Sequence, residues 1–385
     1  MSAPVGTPSL SKPLNLFILA GEPSGDRIAA NLVQRLRETT AVNLTGVGGE
    51  ALADEGLQSL FDMNELSVMG WADVLPRLPK LLWRARQVAK TIIRQRPDVV
   101  VFVDAQVFSA IVAKQVYKAA PDIPILLCVA PAVWAWKPER AQELKPRFRE
   151  VMAVLPFEPA FMRTAHGPET HYIGHPATHA LNFRTDIPAT GPVLLLPGSR
   201  DGELRRHLPL MKETAIALAK HPRVTGFMIP TPRRLEHSLK RLVSDWPVPV
   251  DVITGEGPKA SAMAEAVAAV AVTGTVTLEL ALAGVPMVTT YVADKGQAKR
   301  WFKYKVKFAA LPNAILDQAL VPEILQLEPD GEALTSAVRQ LLDAPDIAPK
   351  QVDGFARIRT VMEQGTPEDP RVNPAERVLS HWTQK

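Results

Sequence analysis

Residues 14–26 read LNLFILA followed by GEPSGD, an apolar run that leads directly into a polar loop with two glycines and then into a helix-like stretch. Residues 193–200 repeat the pattern, with VLLL followed by PGSR and another helix-like stretch. An apolar run without alternation is typical of a strand buried on both faces of a sheet. The strand, loop and helix that begin twice therefore predict two Rossmann-like domains.

Further apolar runs alternate with helix-like stretches along the rest of the chain. They are Asp98–Val103, Ile123–Val129, Val151–Leu155, Gly226–Ile229, Val250–Ile253, Val267–Val272 and Pro286–Tyr291. This alternation predicts an α/β fold with two doubly wound parallel sheets. We predict a first domain over residues 1–185 and a second over residues 186–350, facing a cleft as in B-type (GT-B) glycosyltransferases. The helices of residues 351–385 can pack back on the first domain.

Composition narrows the class of protein. The 385 residues are 46% hydrophobic and carry a net charge of +4, which suits an anionic substrate or a membrane surface and is too weak to predict nucleic-acid binding. Cys128 is the only cysteine, so no intrachain disulfide can form. The apolar run at residues 14–20 is too short to span a membrane and lacks a cleavage site, so we interpret it as a strand. Any membrane contact is expected to be peripheral.

The loop at residues 273–275 is the clearest candidate for a phosphate site. Gly274 and Thr275 follow an apolar run and open a helix, whose N-terminal amides and dipole favour an anion. Glu279, about one turn into that helix, can accept hydrogen bonds from both ribose hydroxyls of a nucleotide. The alternative is a tight turn with an acid placed only to stabilise the helix start.

The second loop of this domain places Gly198, Ser199 and Arg200 at the end of a strand. Arg200 can neutralise a departing diphosphate because guanidinium binds phosphate bidentately and stays protonated. A solvated charged turn is the alternative. The chain contains no Asp-x-Asp pair, so we predict no metal and no other cofactor. Arg200 and the helix dipoles would then stabilise the leaving group.

The first domain offers a loop and an acid at the ends of two predicted strands. The loop contains Gly21, Glu22, Ser24, Gly25 and Asp26, whose glycines allow close approach of an acceptor sugar. Asp104 ends the strand Asp98–Val103, where a carboxylate can take the proton of an attacking hydroxyl. The alternatives are an ordinary capped turn and a loop-capping aspartate.

Residues 65–83 form an amphipathic and unusually apolar segment with basic residues among the apolar ones. Tryptophan and basic residues beside an apolar face suit a lipid interface, and a core-facing helix is the alternative. The candidate membrane or acyl contacts are Val68, Met69, Trp71, Leu75, Leu78, Leu82 and Trp83.

An ordered set of motifs resembles the lipid-A-disaccharide synthase family, between about Leu16 and Gln326. The motifs are GEPSGD at 21–26, LSVMG at 66–70, VWAW at 133–136, LPFE at 155–158, IGHP at 173–176, LPGSR at 196–200, LPN at 311–313 and VPEILQ at 321–326. Each motif is weak alone, and the ordered set is specific.

The resemblance implies an inverting, metal-independent transfer at the cytoplasmic face of the inner membrane of a Gram-negative bacterium. The donor would be UDP-2,3-diacylglucosamine and the acceptor 2,3-diacylglucosamine 1-phosphate, giving the β-1,6-linked lipid A disaccharide phosphate and UDP. It implies that Asp104 is the catalytic base and Arg200 the critical arginine. It places Gly274, Thr275 and Glu279 in the nucleotide loop, and Asn313 and Gln326 near the donor. The oligomeric state is left open, with a homodimer as one alternative.

One segment departs from the family pattern. The family commonly reads Asp-Ala/Ser-Pro-Asp-Phe-Asn where this chain has Asp104-Ala105-Gln106-Val107-Phe108-Ser109. The proline, the second aspartate and the asparagine are replaced. The alternatives to the lipid A enzyme are therefore a non-catalytic UDP-sugar-binding paralogue and a related transferase or epimerase with another substrate.

Overall fold

The structure, a computed structural model, describes residues 12–66, 71–134, 138–294, 296–299 and 306–382. Within residues 71–77 it describes the backbone alone. The chain divides into two compact units, Met1–Gly174 with Gly365–Lys385 and His175–Gln364. The predicted boundary at residue 185 lies inside the second unit, because the Arg184 amide donates to the carbonyl of Ala283 and its guanidinium to carbonyls near residue 265.

The first unit is a parallel six-stranded sheet in the order β2-β1-β3-β4-β5-β6, covered by helices. Its strands are β1 Leu14–Ala20, β2 Val42–Val47, β3 Val99–Val103, β4 Ile125–Cys128, β5 Glu150–Ala153 and β6 Glu169–Tyr172. Its helices are α1 Pro23–Arg37, α2 Glu50–Asp54, α3 Trp71–Gln95, α4 Gln106–Ala119, α5 Arg140–Leu144 and α6 Glu158–Thr164, with a 3-10 turn at Met63–Glu65.

The second unit repeats this plan with the strand order β12-β11-β10-β7-β8-β9. Its strands are β7 Gly191–Leu196, β8 Val224–Pro230, β9 Val250–Ile253, β10 Ala268–Val272, β11 Met287–Val292 and β12 Glu323–Gln326. The helices described in it are α7 Ala177–Ala180, α8 Asp201–Leu218, α9 Arg233–Val243, α10 Glu256–Glu265, α11 Thr275–Ala283, α12 Leu311–Leu316, α13 Gly331–Asp343 and α14 Ile347–Gln364.

The two predicted sheets are confirmed. The central strands are continuous apolar runs because both faces of each sheet are covered: every residue of β3, β7 and β10 is buried. The predicted strand set lacks β2, β6 and β12, which all lie at sheet edges. Each of these edge strands mixes polar and apolar residues because one side of it meets solvent.

The C-terminal segment divides between the units. Helix α14 belongs to the second, where the buried Gln351 side chain exchanges hydrogen bonds with the backbone of Met287. The chain then returns to the first unit and ends in α15 Pro374–Ser380. There Arg377 of α15 donates two hydrogen bonds to the buried carboxylate of Glu150. Burial alone would raise the pKa of that carboxyl, but the bonds from Arg377 and His381 outweigh it and lower the pKa to about 2.

Each sheet reverses its direction of winding between two adjacent strands, β1 and β3 in the first unit and β7 and β10 in the second. Open α/β sheets bind ligands at such switch points, beyond the carboxyl ends of the strands. The loops at residues 21–26, 104–105, 197–200 and 273–275 leave these four strands, whereas Asn313 lies in α12 and Gln326 ends β12. None of the helices in the described part of the chain is both long and apolar enough to cross a membrane.

Candidate active site

The switch point of the first sheet brings the loop at residues 21–26 against Asp104. Ala20 of β1 pairs with Val103 of β3, so the two loops leave the sheet side by side. A Cβ atom on Gly21 would lie 2.4 Å from the Cβ of Ala105, a distance that no real side chain tolerates. One on Gly25 would lie 3.5 Å from the Cβ of Asp104. At Gly21, therefore, glycine is required by close packing of the two loops.

Asp104 sits on strained backbone in a half-buried position. Asp104 and Ala105 have φ angles of 58° and 48°, in the left-handed region that residues with a side chain rarely adopt. The Asp104 amide donates to the carbonyl of Cys128, and the buried Ser109 hydroxyl donates to the carbonyl of Asp104 at 3.1 Å. Strain that surrounding hydrogen bonds maintain is common at functional sites.

The environment of the Asp104 carboxylate favours its acting as a base. Burial raises the pKa of Asp104 above its usual range, and a hydrogen bond from the Ala105 amide offsets part of that rise. A carboxylate with a raised pKa is a better proton acceptor than an exposed one, provided that it is ionised at the working pH.

The departure from the family pattern affects two positions differently. Ser109 stands where the family has asparagine, and its hydroxyl holds the Asp104 carbonyl. Val107 stands where the family has its second aspartate, and its side chain is exposed in the first turn of α4. Val107 therefore offers no polar group to the Asp104 side chain, whereas Ser109 stabilises the Asp104 backbone by a hydrogen bond.

The remaining residues of the first loop differ in surroundings. The Asp26 carboxylate is buried and accepts hydrogen bonds from the amides of Gly49 and Ala51 at 2.8 and 2.9 Å. It thus holds the first turn of α2 against the loop. Ser24 is exposed and Glu22 half-buried, and both belong to the start of α1.

The switch point of the second sheet carries the two predicted phosphate loops on adjacent strands. Gly198 has φ of 96°, and a Cβ there would lie 2.4 Å from Oε2 of Glu203. That oxygen accepts hydrogen bonds from the amides of Ser199 and Arg200, at 3.0 and 3.3 Å. Arg200 is exposed and pairs with the other Glu203 oxygen at 3.2 Å. Its guanidinium therefore remains accessible to a phosphate.

The neighbouring loop opens α11. Gly274 and Thr275 are exposed at its start, and the Thr277 hydroxyl donates to the Gly274 carbonyl at 2.8 Å. The Glu279 carboxylate receives a hydrogen bond from Nζ of Lys259 at 2.7 Å, and both side chains are partly exposed. Lys259, on α10, was not predicted from sequence because a lone lysine in a helix carries no positional signal. It positions the carboxylate predicted to bind ribose.

Asn313 is placed inside the protein and uses its whole amide group there. Its nitrogen donates to the Val321 carbonyl and to the Glu323 carboxylate, and its oxygen accepts from the amides of Leu320 and Val321, all at 2.8–2.9 Å. It organises the approach to β12, and its contact with the donor stays a prediction.

Gln326 and His207 brace the same end of the second sheet. Gln326, at the end of β12, exchanges hydrogen bonds with the backbone of Asp330. The buried His207 ring lies between the carbonyl of Glu203, at 2.7 Å, and the amide of Val292, at 2.9 Å. Its Nε2 accepts from that amide, so its Nδ1 donates to the carbonyl, and burial lowers the pKa of His207. Sequence reasoning missed His207 because no motif marks it.

Helix α3, which contains most of the apolar segment at residues 65–83, has both an exposed apolar part and a core-facing part. In the second half of α3 the residues 85, 88, 89 and 92 are buried, at the spacing of a core-facing helix. In the first half, Leu78, Leu82 and Trp83 are 42, 39 and 55% exposed. Val68 and Met69 lie outside the described residues, as do the side chains of Trp71 and Leu75.

Comparison with known proteins shows similarity along almost the whole chain. The model of a protein family described as "Lipid-A-disaccharide synthetase" matches residues 16–371. A lipid-A-disaccharide synthase of Rhodopseudomonas palustris strain BisB18 is 39% identical over 377 residues, covering 94% of each chain. One from Rhodospirillum centenum is 37% identical over 387 residues, covering 97% of this chain and 96% of its own.

Solved structures with the same fold are more distant in sequence. Acinetobacter baumannii MurG is 15% identical with a TM-score of 0.55, covering 97% of this chain and 100% of that chain. The glycotransferase of kitacinnamycin is 13% identical with a TM-score of 0.60 and the same coverage. A UDP-GlcNAc 2-epimerase from Neisseria meningitidis is 13% identical with a TM-score of 0.56, covering 90% of this chain and 98% of that chain. These similarities establish the GT-B fold.

Proposed function

Because the chain belongs to the lipid-A-disaccharide synthase family, and is thus a glycosyltransferase of lipid A biosynthesis, we propose its substrates and the roles of its residues. The donor is UDP-2,3-diacylglucosamine and the acceptor is 2,3-diacylglucosamine 1-phosphate. The products are the β-1,6-linked disaccharide 1-phosphate and UDP. The observation that carries this assignment is the family match across residues 16–371. The position of Asp104 and of the loops at 198–200 and 274–275 beyond the strands of the two switch points supports it.

Asp104 acts as the general base. It takes the proton of the acceptor's 6-hydroxyl as that oxygen forms a bond to C1 of the donor sugar. The bond between C1 and the diphosphate oxygen breaks on the opposite face, so the α-linked donor gives a β-linked product. The support is the burial that raises the pKa of Asp104 and the strained backbone on which it is held.

Arg200 balances the charge that develops on the leaving UDP. Its guanidinium is exposed and held by one carboxylate, that of Glu203, so a diphosphate can share or replace that partner. The N-terminus of α11 contributes the amides and dipole at Gly274 and Thr275, and Glu279 accepts from the ribose hydroxyls. We propose that this electrostatic stabilisation requires no metal ion.

The first half of α3 is proposed to bind the cytoplasmic face of the inner membrane peripherally. Leu78, Leu82 and Trp83 form an exposed apolar patch, and the exposed Arg86 and Lys90 follow it on the helix. An apolar patch beside cationic residues suits a bilayer with anionic lipids, where both acylated substrates reside.

The decisive experiment measures UDP release from purified protein incubated with both acylated sugars and identifies the product. Turnover to the β-1,6 disaccharide 1-phosphate is expected. UDP binding without turnover would instead indicate a non-catalytic UDP-sugar-binding protein. Rapid turnover with an unacylated acceptor, or conversion of the donor alone, would indicate a transferase or epimerase with another substrate.

Membrane binding has its own test. Replacing Leu78, Leu82 and Trp83 together by serine should weaken co-sedimentation with vesicles that contain anionic lipid. Exposed Ile216, on α8 of the other unit, supplies the control substitution. Co-sedimentation unchanged by the triple substitution would contradict the assignment of this patch.

A further inference from the structure

Helices α8 and α9 leave an open groove between them on the second unit. They follow the neighbouring strands β7 and β8 and cover the same region of that sheet. The cavity between them has a volume of about 640 Å³. This lies within the range of roughly 300–1,000 Å³ found for small-molecule sites. Nothing in the proposed reaction described above uses it.

The lining of the groove is amphipathic. Leu204, Leu208 and Trp246 form a buried apolar floor, and Leu242 is 47% exposed along one wall. Pro209 lies in the opposite wall and lacks the amide that would bond to the Arg205 carbonyl, which loosens α8 at this point. The floor and walls therefore offer apolar surface to a ligand with a hydrocarbon part.

Charged residues border the groove at both ends. Asp201 and Arg205 line the end near the start of α8, and the exposed side chain of Arg205 makes no hydrogen bond or ion pair with any described residue. Lys212 and Asp245 pair at 2.9 Å at the other end. The groove runs about 16 Å along α8, from Asp201 to Lys212. The groove therefore has the length and lining to hold a hydrocarbon chain of a ligand whose polar end lies near the start of α8.

The start of α8 is also the predicted diphosphate site. Asp201, which lines the groove, directly follows Arg200. Arg234, in the first turn of α9, donates to the carbonyl of Ser199 and so ties both helices to that loop. A donor whose diphosphate is held at this loop has its sugar, and any chain on that sugar, within reach of the open end of the groove.

We propose that the α8–α9 groove binds one acyl chain of the donor. This inference rests on the proposed function, because among the substrates and products of that reaction only the donor carries both a diphosphate and hydrocarbon chains. The affinity of a ligand rises about fourfold for each methylene group that moves from water into an apolar site. The groove thus lowers the cost of drawing a lipid-linked donor out of the bilayer, and it selects for chain length.

The test compares the binding of three ligands to wild type and to Leu242→Trp, which fills the groove from an exposed wall position. The ligands are UDP, UDP-glucosamine carrying two acetyl groups, and UDP-glucosamine carrying two long acyl chains. The substitution is expected to weaken binding of the long-chain donor at least tenfold and to leave UDP and the diacetyl donor unchanged. Ile216→Trp, on α8 outside the groove and 45% exposed, is the matched control and should change none of them.

Two results would overturn the proposal. One is equal affinity of wild type and Leu242→Trp for the long-chain donor. The other is an equal loss for all three ligands, which would mean that the substitution acts through the nucleotide site. Because the readout is binding, it holds even where no turnover is seen, so failure of the groove and failure of the proposed reaction are distinguishable.

A second measurement does not require a variant that fills the groove. Bromine near the end of the donor acyl chain should quench the fluorescence of Trp246, which lies in the floor. In Trp246→Phe, the part of the quenching that comes from Trp246 should be absent, so the total quenching should be smaller than in wild type. Identical quenching in wild type and Trp246→Phe would place the chain elsewhere.

Discussion

The side chains at the two switch points are held in place in different ways. At the first, between β1 and β3, Asp104 stands on left-handed backbone, and Gly21 of the neighbouring loop cannot gain a Cβ without a clash with Ala105. At the second, between β7 and β10, the key side chains already have partners, Glu203 for Arg200 and Lys259 for Glu279. The first site holds its half-buried carboxylate by backbone contacts, which suits the proposed base. The second is satisfied internally, and under the proposed function its ion pairs would be exchanged for contacts with the charged donor.

The largest effect is expected from Asp104→Asn, which removes the proposed base and keeps the shape of the side chain. Asparagine tolerates left-handed backbone, so the strained loop should persist. Turnover is expected to fall roughly 10²–10⁴-fold, the typical contribution of general base catalysis, with UDP affinity unchanged. Steady-state kinetics and calorimetric titration with UDP measure both. Turnover like that of wild type would exclude Asp104 as the base.

The pH profile sharpens the same assignment. Because burial raises the pKa of Asp104 above its ordinary 3.8, the base is ionised only above that raised value. In wild type, kcat/KM should therefore rise with pH along an acid limb displaced upward from 3.8. The residual activity of Asp104→Asn should lack this limb. Its persistence would assign the limb to another group.

Arg200→Ala should affect the second switch point and leave the first intact. Loss of a charge-assisted bond to phosphate costs about 1.5–3 kcal/mol, or roughly tenfold to a hundredfold in UDP affinity. Arg200→Lys should recover part of the loss, because lysine keeps the charge without the bidentate fork. If neither variant changes UDP affinity or turnover, the guanidinium does not contact the diphosphate.

Gly21→Ala tests the close approach of the two loops at the first switch point. The added Cβ would meet Ala105, so we expect a loss of roughly 1–3 kcal/mol in the free energy of unfolding and slower turnover. Gly257→Ala is the control, since a Cβ there has open space in α10. Denaturant unfolding of both variants makes the comparison. Equal stability of the two would show that the loops separate easily.

The smallest effect concerns His207 at the second switch point. Burial lowers the pKa of His207 in the folded protein below its unfolded value near 6.5. Its stabilising contribution is therefore complete above pH 6.5 and is lost as the pH falls below that value toward the lowered pKa. His207→Gln should show a shallower decline of unfolding free energy over this acidic range. Parallel pH curves would mean that the ring titrates freely.

Local sequence patterns were sufficient for the central strands of both sheets and for the loops at their switch points. Buried parallel strands such as β3 and β7 are apolar throughout, so each is visible without knowledge of its neighbours. The edge strand β6 reads ETHY and carries no such pattern, because its hydrogen bonds come from one neighbour and its side chains meet both solvent and core. The family motifs marked the site loops for the same local reason.

The contacts of individual side chains depended on long-range packing. Asn313 was assigned to the donor from its motif, and the structure shows its amide fully engaged with the approach to β12. His207 and Lys259 carry no motif and become significant only because α8 lies beside β11, and α10 beside α11.

By itself, then, the sequence determined two Rossmann-like domains, their family, and the strands after which the site loops come. These properties follow from residue type and near-neighbour order, which act within one strand, turn or helix. The tertiary structure alone decided that Gly21 presses on Ala105, that Glu203 holds Arg200, and that a groove opens beside the diphosphate loop. Those features depend on which segments, distant in sequence, come into contact. No single stretch of sequence specifies the contact distances across a sheet or between helices.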